Sequence, residues 1–416
     1  MKKLIAIAVV FVLVAGAAFA VDLGGAVFGH VNVLEGNSGK DAAGDANPIT
    51  ASGGIDRARI DGSGEVADGA FGGYIRIDSG DLADAYAFWK PIDQFKLIIG
   101  GFSDAFWGKD GVTGWGFNQM PNDSGIATNP GIWCGGGWGS SVYSDQGYKI
   151  PDPDDPSKFL DKNHNGDSWA AYLHNRYVFL EGFQYKGLSL EIKPLDMLSI
   201  NIGIPFMDAP RGNEFGDILQ ASLAQIDLNF DFGNIALTYD GANRAGMKAG
   251  DGGAFYVYYG GSFGALGLDL GFALHFAGAA DADRPKWGAS DAVQPIGLGL
   301  GLKFATDSFG VKFRVTAALG GDDEATYVNA SLLPYFAIND NISAFLNAGI
   351  GMVAPSDGDT YSGFYVNPYL RVGAEWGPTF YFGFRLESSL SYDGKFLDGS
   401  DSFVNWSVPI SLMVSF

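Results

Sequence analysis

The chain closes on Val404-Asn-Trp-Ser-Val-Pro-Ile-Ser-Leu-Met-Val-Ser-Phe416, a stretch with a strict two-residue beat. Val404, Trp406, Val408, Ile410, Leu412, Val414 and Phe416 fall on one face. Asn405, Ser407, Pro409, Ser411, Met413 and Ser415 fall on the other. Successive side chains of a strand point to opposite sides, so this is a strand with one apolar and one mostly polar face. Whether the apolar face meets a second sheet or something outside the protein is decided by the rest of the chain.

The same beat returns upstream. Ile226, Leu228, Phe230 and Phe232 alternate with Gln225, Asp227, Asn229 and Asp231, and after a turn at Gly233-Asn234 the pattern resumes to Asp240. Leu266 to Phe276 alternates with Gly267, Asp269, Gly271, Ala273 and His275. Ile296 to Phe304 alternates with Gly297, Gly299, Gly301 and Lys303. Val311 to Ala317 opposes Lys312 and Arg314, Leu370 to Trp376 opposes Arg371 and Glu375, and Phe380 to Leu386 opposes Tyr381, Arg385 and Glu387. A sandwich would hide such apolar faces against each other in shorter strands. Strands of about 9–14 residues suit a tilted bilayer crossing, and hydrocarbon tolerates no open sheet edge.

The expected fold is therefore all-β: one antiparallel transmembrane β-barrel of about 18 strands, with 16 as the nearest alternative. Connections alternate in length. Gly233-Asn234, Asn339-Asp340-Asn341 and Gly377-Pro378 read as tight turns, and Ala279–Gln294 and Ala354–Gly363 as long polar loops. Phe232, Phe304, Phe336, Trp376, Phe380 and Phe416 collect beside the tight turns as an aromatic girdle. Strands begin almost at once, at Leu23–Leu34, which leaves no room for an N-terminal plug.

Residues 1–20 read as a secretory signal peptide: Lys2-Lys3, an apolar run from Leu4 to Ala17, then Ala18-Phe19-Ala20. Residues 21–416 are then a single barrel domain. The lone cysteine, Cys134, forms no internal disulfide. A formal charge of −21 disfavours nucleic acid as a partner. The four histidines, with neither a Gly-x-Ser-x-Gly elbow nor a His-x-x-x-His pair, point away from an enzyme.

The candidate pore-lining residues are Asp227, Asp231, Asp240, Asp269, Lys303, Lys312, Arg314, Arg371, Glu375, Arg385 and Glu387, joined by Arg57, Arg59 and Arg76 from strands that alternate less cleanly. A long segment at about 103–182 interrupts the strand pattern. It carries Phe106, Trp107, Trp115, Trp133 and Trp138, aromatics that favour packing inside the lumen as a constriction over exposure as a surface cap. Within it, Asp161, Asn163, Asn165, Gly166 and Asp167 match the opening of a calcium loop. Tyr172 stands where an EF-hand supplies its bidentate Glu, so the alternative is an Asx-rich turn. No cofactor is required; a Ca²⁺ ion here is the one bound group the residues suggest. Lys90-Pro-Ile-Asp93 and Lys193-Pro-Leu-Asp196 echo one another and read as repeated hairpin turns.

The signal peptide, the periodicity and the aromatic-ended last strand resemble a Gram-negative outer-membrane porin of the general-diffusion type. The resemblance implies outer-membrane location, tight turns in the periplasm and long loops outside, with membrane lipid and small hydrophilic solutes as partners and a homotrimer as the class habit. Val408, Ile410, Leu412, Val414 and Phe416 resemble the signal read by the barrel-assembly machinery. The implied function is passive diffusion of small hydrophilic solutes or ions, with a weak cation preference from the acidic loops. The alternative is a surface adhesin or structural barrel with a plugged pore.

Overall fold

The computed structural model describes residues 20–38, 48–78, 80–100, 150–152, 155–160, 186–207, 222–241, 252–277, 296–319, 326–354, 360–373, 378–388 and 404–415. Among them, eighteen antiparallel strands form one continuous sheet. The first seven are β1 (Ala20–Asn37), β2 (Thr50–Val66), β3 (Phe71–Asp78), β4 (Asp81–Ile92), β5 (Phe95–Ile99), β6 (Lys186–Leu195) and β7 (Leu198–Met207). Then follow β8 (Leu223–Phe230), β9 (Gly233–Asp240), β10 (Gly252–Phe263), β11 (Leu266–Ala277), β12 (Ile296–Ala305) and β13 (Phe309–Leu319). The last are β14 (Thr326–Asn339), β15 (Ile342–Ala354), β16 (Tyr361–Val372), β17 and β18 (Val404–Ser415). β17 comes in two pieces, Thr379–Gly383 and Arg385–Ser388, broken at Phe384. A short hairpin, Ile150–Asp152 with Asp155–Leu160, forms a separate two-stranded sheet.

β18 closes the ring on β1, from Ala26↔Ser415 to Asn37↔Asn405. Closure removes the sheet edge, the condition for a sheet surrounded by hydrocarbon. The two faces are chemically distinct. On β8, Gln225 and Asp227 are 1% and 6% exposed, while Ile226 between them is 40% exposed. The same contrast separates Phe272 from Ala273, Leu332 from Leu333, and Leu412 from Met413. Outward-facing Leu, Ile, Val and Phe side chains thus stay uncovered all round the ring. So large an apolar surface is stable only against lipid, and the fold is a membrane-spanning β-barrel.

Most of the tight turns lie at one end of the barrel, where they include Asp93–Gln94, Asp196–Met197, Gly264–Ala265 and Asp340–Asn341. Asn339 Oδ1 accepts the Asn341 backbone N–H at 2.9 Å, so the side chain closes that turn itself. The long connections fall at the other end, with one short exception at Ser79–Gly80. Aromatics ring the turn end, with Trp89 and Phe95 edge to face at 6.4 Å and Phe230 stacked on Phe232 at 5.0 Å.

Three expectations need correction. β8 ends at Phe230, so the turn is Asp231–Phe232 and Gly233 already belongs to β9. Gly233 is required by close approach rather than by turning: at φ 148° its absent Cβ would stand 2.5 Å from the Gly260 carbonyl oxygen of β10. Both Lys-Pro-x-Asp segments do lead into hairpins, but the turns begin at Asp93 and Asp196 rather than at the Lys-Pro dipeptides. Lys90-Pro91 and Lys193-Pro194 occupy register shifts at the ends of β4 and β6, where a bulge tolerates the missing donor. Strand length also varies more than expected: β1 and β2 reach 18 and 17 residues, while β5 has five.

Candidate functional site

The inward face of the sheet is the candidate site. Inward residues of neighbouring strands meet in register, so they form rows running around the wall. On β7, β8 and β9, Asn201, Gln225 and Thr238 are directly opposite one another. Thr238 Oγ1 donates to Gln225 Oε1 at 2.7 Å, and Gln225 Nε2 donates to Asp227 Oδ2 at 2.9 Å. Asn201 Nδ2 donates to the same Asp227 oxygen at 3.3 Å. Asp227 is thus a buried carboxylate held by two amide donors, the condition for burying such a charge. Next along the wall, Tyr256 and Tyr258 of β10 stack at 6.0 Å and are fully buried.

β11 to β13 carry the charged stretch. Lys303 and Lys312 are direct cross-strand partners, and Asp269 and Arg314 each oppose Gly301 from its two sides. Arg314 is buried. Further round, Phe345 and Tyr369 are partners with parallel rings 4.9 Å apart, and Tyr335 stacks on Phe345 at 6.1 Å. With Leu333, Tyr381 and Met413 they make a buried apolar cluster on the inner face. Above this aromatic row, Asn347 opposes Asn367, and Arg385 opposes Ser407 on the neighbouring strands. Below it, Arg371 is the partner of Ser343 and Tyr381.

On β2 and β3 a compact ionic group forms at Asp61, which the sequence reading left out. Its carboxylate accepts Arg59 Nε at 2.7 Å, Arg76 Nε at 2.8 Å and the Tyr74 hydroxyl at 2.5 Å. The Arg76 guanidinium also lies over the Tyr74 ring, 5.3 Å from its centre. The signal was present, since Arg59-x-Asp61 and Tyr74-x-Arg76 both keep the two-residue beat. Loose alternation in the surrounding strands hid it.

Of the sequence candidates, Asp227, Asp269, Lys303, Lys312, Arg314, Arg371 and Arg385 occupy inward positions. Asp231 does not: it is exposed in the turn, one residue beyond the end of β8. Asp240 and Glu387 lie on β9 and β17, but their side chains fall outside the described residues, as does that of Arg57. Glu375, the aromatic positions Phe106, Trp107, Trp115, Trp133 and Trp138, and the calcium-like Asp161, Asn163, Asn165 and Asp167 lie outside the described residues altogether. Among the described residues there is no group of three or more His, Cys, Asp or Glu side chains able to hold a metal ion. Val408, Ile410, Leu412 and Val414 lie on β18 with Ile410 and Leu412 exposed outward; Phe416 is outside the described residues, as are residues 1–19, where the signal peptide is expected.

No family model matches the sequence, and no curated protein matches it. Solved structures do. OpdQ of Pseudomonas aeruginosa aligns with a TM-score of 0.50 at 10% identity, over 94% of this chain and 98% of that one. The fold is that of an outer-membrane porin. OccK5 (OpdH) of the same organism gives 0.46 at 11% identity, over 94% of this chain and 98% of that one. A mutant of the Rh. blastica porin gives 0.43 at 12% identity, over 95% and 100% of the two chains. At such identities the likeness speaks for architecture alone.

Proposed function

We propose that the protein is an outer-membrane channel for passive diffusion of small hydrophilic solutes and ions. The observation that carries this reading is the division of the wall: apolar outside, and amides, hydroxyls and paired charges inside, across a ring of eighteen strands. Barrels of eight strands fill with side chains, whereas those of 16–18 leave an aqueous lumen. A ring wide enough for water and lined by hydrogen-bonding groups passes whatever small polar molecule fits.

Selectivity is set by two opposing sets of charge. Among the described residues the inner wall carries basic groups that include Arg59, Arg76, Lys96, Lys303, Lys312, Arg314, Arg371 and Arg385 against acidic ones that include Glu35, Asp61, Glu191, Asp227 and Asp269. The chain as a whole is acidic by 21 charges, so the acidic surplus lies away from this wall. We assign a weak cation preference to the mouths. It grows as salt falls, because the screening length rises from about 8 Å at physiological salt to about 30 Å at 0.01 M. In this reading outer-membrane lipid surrounds the barrel, β18 is the strand presented to the assembly machinery, and a homotrimer is the assembly to test for.

Swelling of proteoliposomes in sugars of increasing size tests the reading. Swelling that falls off with solute size supports a diffusion pore; vesicles no leakier than protein-free ones contradict it.

A further inference from the structure

The repeated Lys-Pro-x-Asp segments have no part in the wall chemistry above, yet the fold brings them together. β5 pairs with both β4 and β6, which brings the end of β4 and the end of β6 to its two sides at the turn end of the barrel. The Lys193 backbone N–H donates to the Gln94 carbonyl at 2.8 Å and joins the two hairpins. Between them and the turn after β2 opens a cavity of about 330 Å³, whose charged lining is Glu65, Asp68, Asp93 and Glu191 with Lys90, Lys96 and Lys193.

Its charges are of both signs and differ in how far they are engaged. Lys90 Nζ and Asp93 pair at 2.8 Å. The Lys96 ammonium sits 4.6 Å from the centre of the Phe88 ring, which also borders the cavity. Among the described residues the side chains of Glu65, Glu191 and Lys193 take part in no hydrogen bond or ion pair. The cavity therefore presents carboxylates and an ammonium outside any hydrogen bond or ion pair within one small volume, with Glu65 near enough to Lys90 to feel its charge. An ion of a single sign would meet attraction and repulsion together. A molecule carrying an ammonium and a carboxylate a few bonds apart satisfies both.

We propose that this cavity is a binding site for small zwitterions, amino acids or short peptides, at the turn-end mouth of the barrel. It deepens the channel reading by naming a solute class, and rests on that reading for its place in transport. Carboxylates from β2 and β6 take the solute's ammonium, and Lys193 takes its carboxylate. Glu65 and Lys193 are exposed and Glu191 is half-buried, so binding is weak, as befits a site that must release its solute.

Saturation-transfer NMR on the refolded protein in detergent micelles tests this with three probes: glycylglycine, acetate and ethylammonium. Expected is transfer to glycylglycine, about tenfold weaker for each singly charged probe and equally weakened in a Glu191→Gln/Lys193→Met variant. Heat-resistant gel migration of that variant establishes that the barrel is intact, and a Lys193→Arg variant keeps the transfer. Equal transfer to all three probes, or undiminished transfer in the folded variant, overturns the proposal. A barrel that binds glycylglycine but conducts nothing loses the channel reading and keeps the site.

Discussion

Tyr335 of β14 lies across Gly310, its direct partner on β13, and its ring occupies the space where a Cβ on residue 310 would stand. The same ring stacks on Phe345 on its other flank, so it has little freedom to retreat. Gly310→Ala should therefore displace the ring and lower stability by about 1–3 kcal/mol. Removing the ring first should abolish the effect, so that Gly310→Ala in a Tyr335→Ala background costs far less. Urea unfolding of the two single variants and the double variant in lipid vesicles measures this coupling.

Asp227 holds two amide donors, from Gln225 and Asn201, in a buried row of the inner wall. Asp227→Ala removes the carboxylate that both amides share and should cost about 1–3 kcal/mol. Asp227→Asn keeps an acceptor oxygen in place and should cost less. The order of the two variants in urea unfolding is the check; equal losses would assign the effect to packing instead.

The outward face should obey depth. Phe272 sits midway along β11, while Leu266 begins the same strand at the turn end, and both are exposed. Phe272→Lys should cost about 2–4 kcal/mol and Leu266→Lys no more than about 1 kcal/mol. Similar costs for both, measured by folding into bilayers, would mean that this face does not meet hydrocarbon.

In the turn after β4, the hydrogen bond and charge of Lys90 hold the Asp93 carboxyl below the ordinary aspartate value of 3.8. A depressed folded-state value means that the pair's contribution is complete above the ordinary value and is lost as pH falls through the depressed one. An NMR titration of the Asp93 carboxyl should show a midpoint below 3.8, moving back toward it in Lys90→Met.

The alternation from Gln225 onward was enough to read the strands, the ring and the lipid-facing side, because lipid imposes one rule on every outward position. Inward positions answer to local partners, and there the reading thinned. Asp61 gains its meaning only when β3 brings Tyr74 and Arg76 beside it. The inward aromatics Phe345 and Tyr369 depart from a polar lining and become intelligible only as a stacked row built by register. Turn positions slipped by two residues where a glycine served close strand approach, as Gly233 does. The break of β17 at Phe384 left no mark in the beat from Phe380 to Leu386.

The central claim is an open, water-filled barrel, and the most direct test is the current through single molecules. The refolded protein in a planar bilayer should give stable, stepwise openings, with a reversal potential of cation sign that strengthens as salt is lowered. A folded, heat-resistant barrel that never conducts would contradict the account.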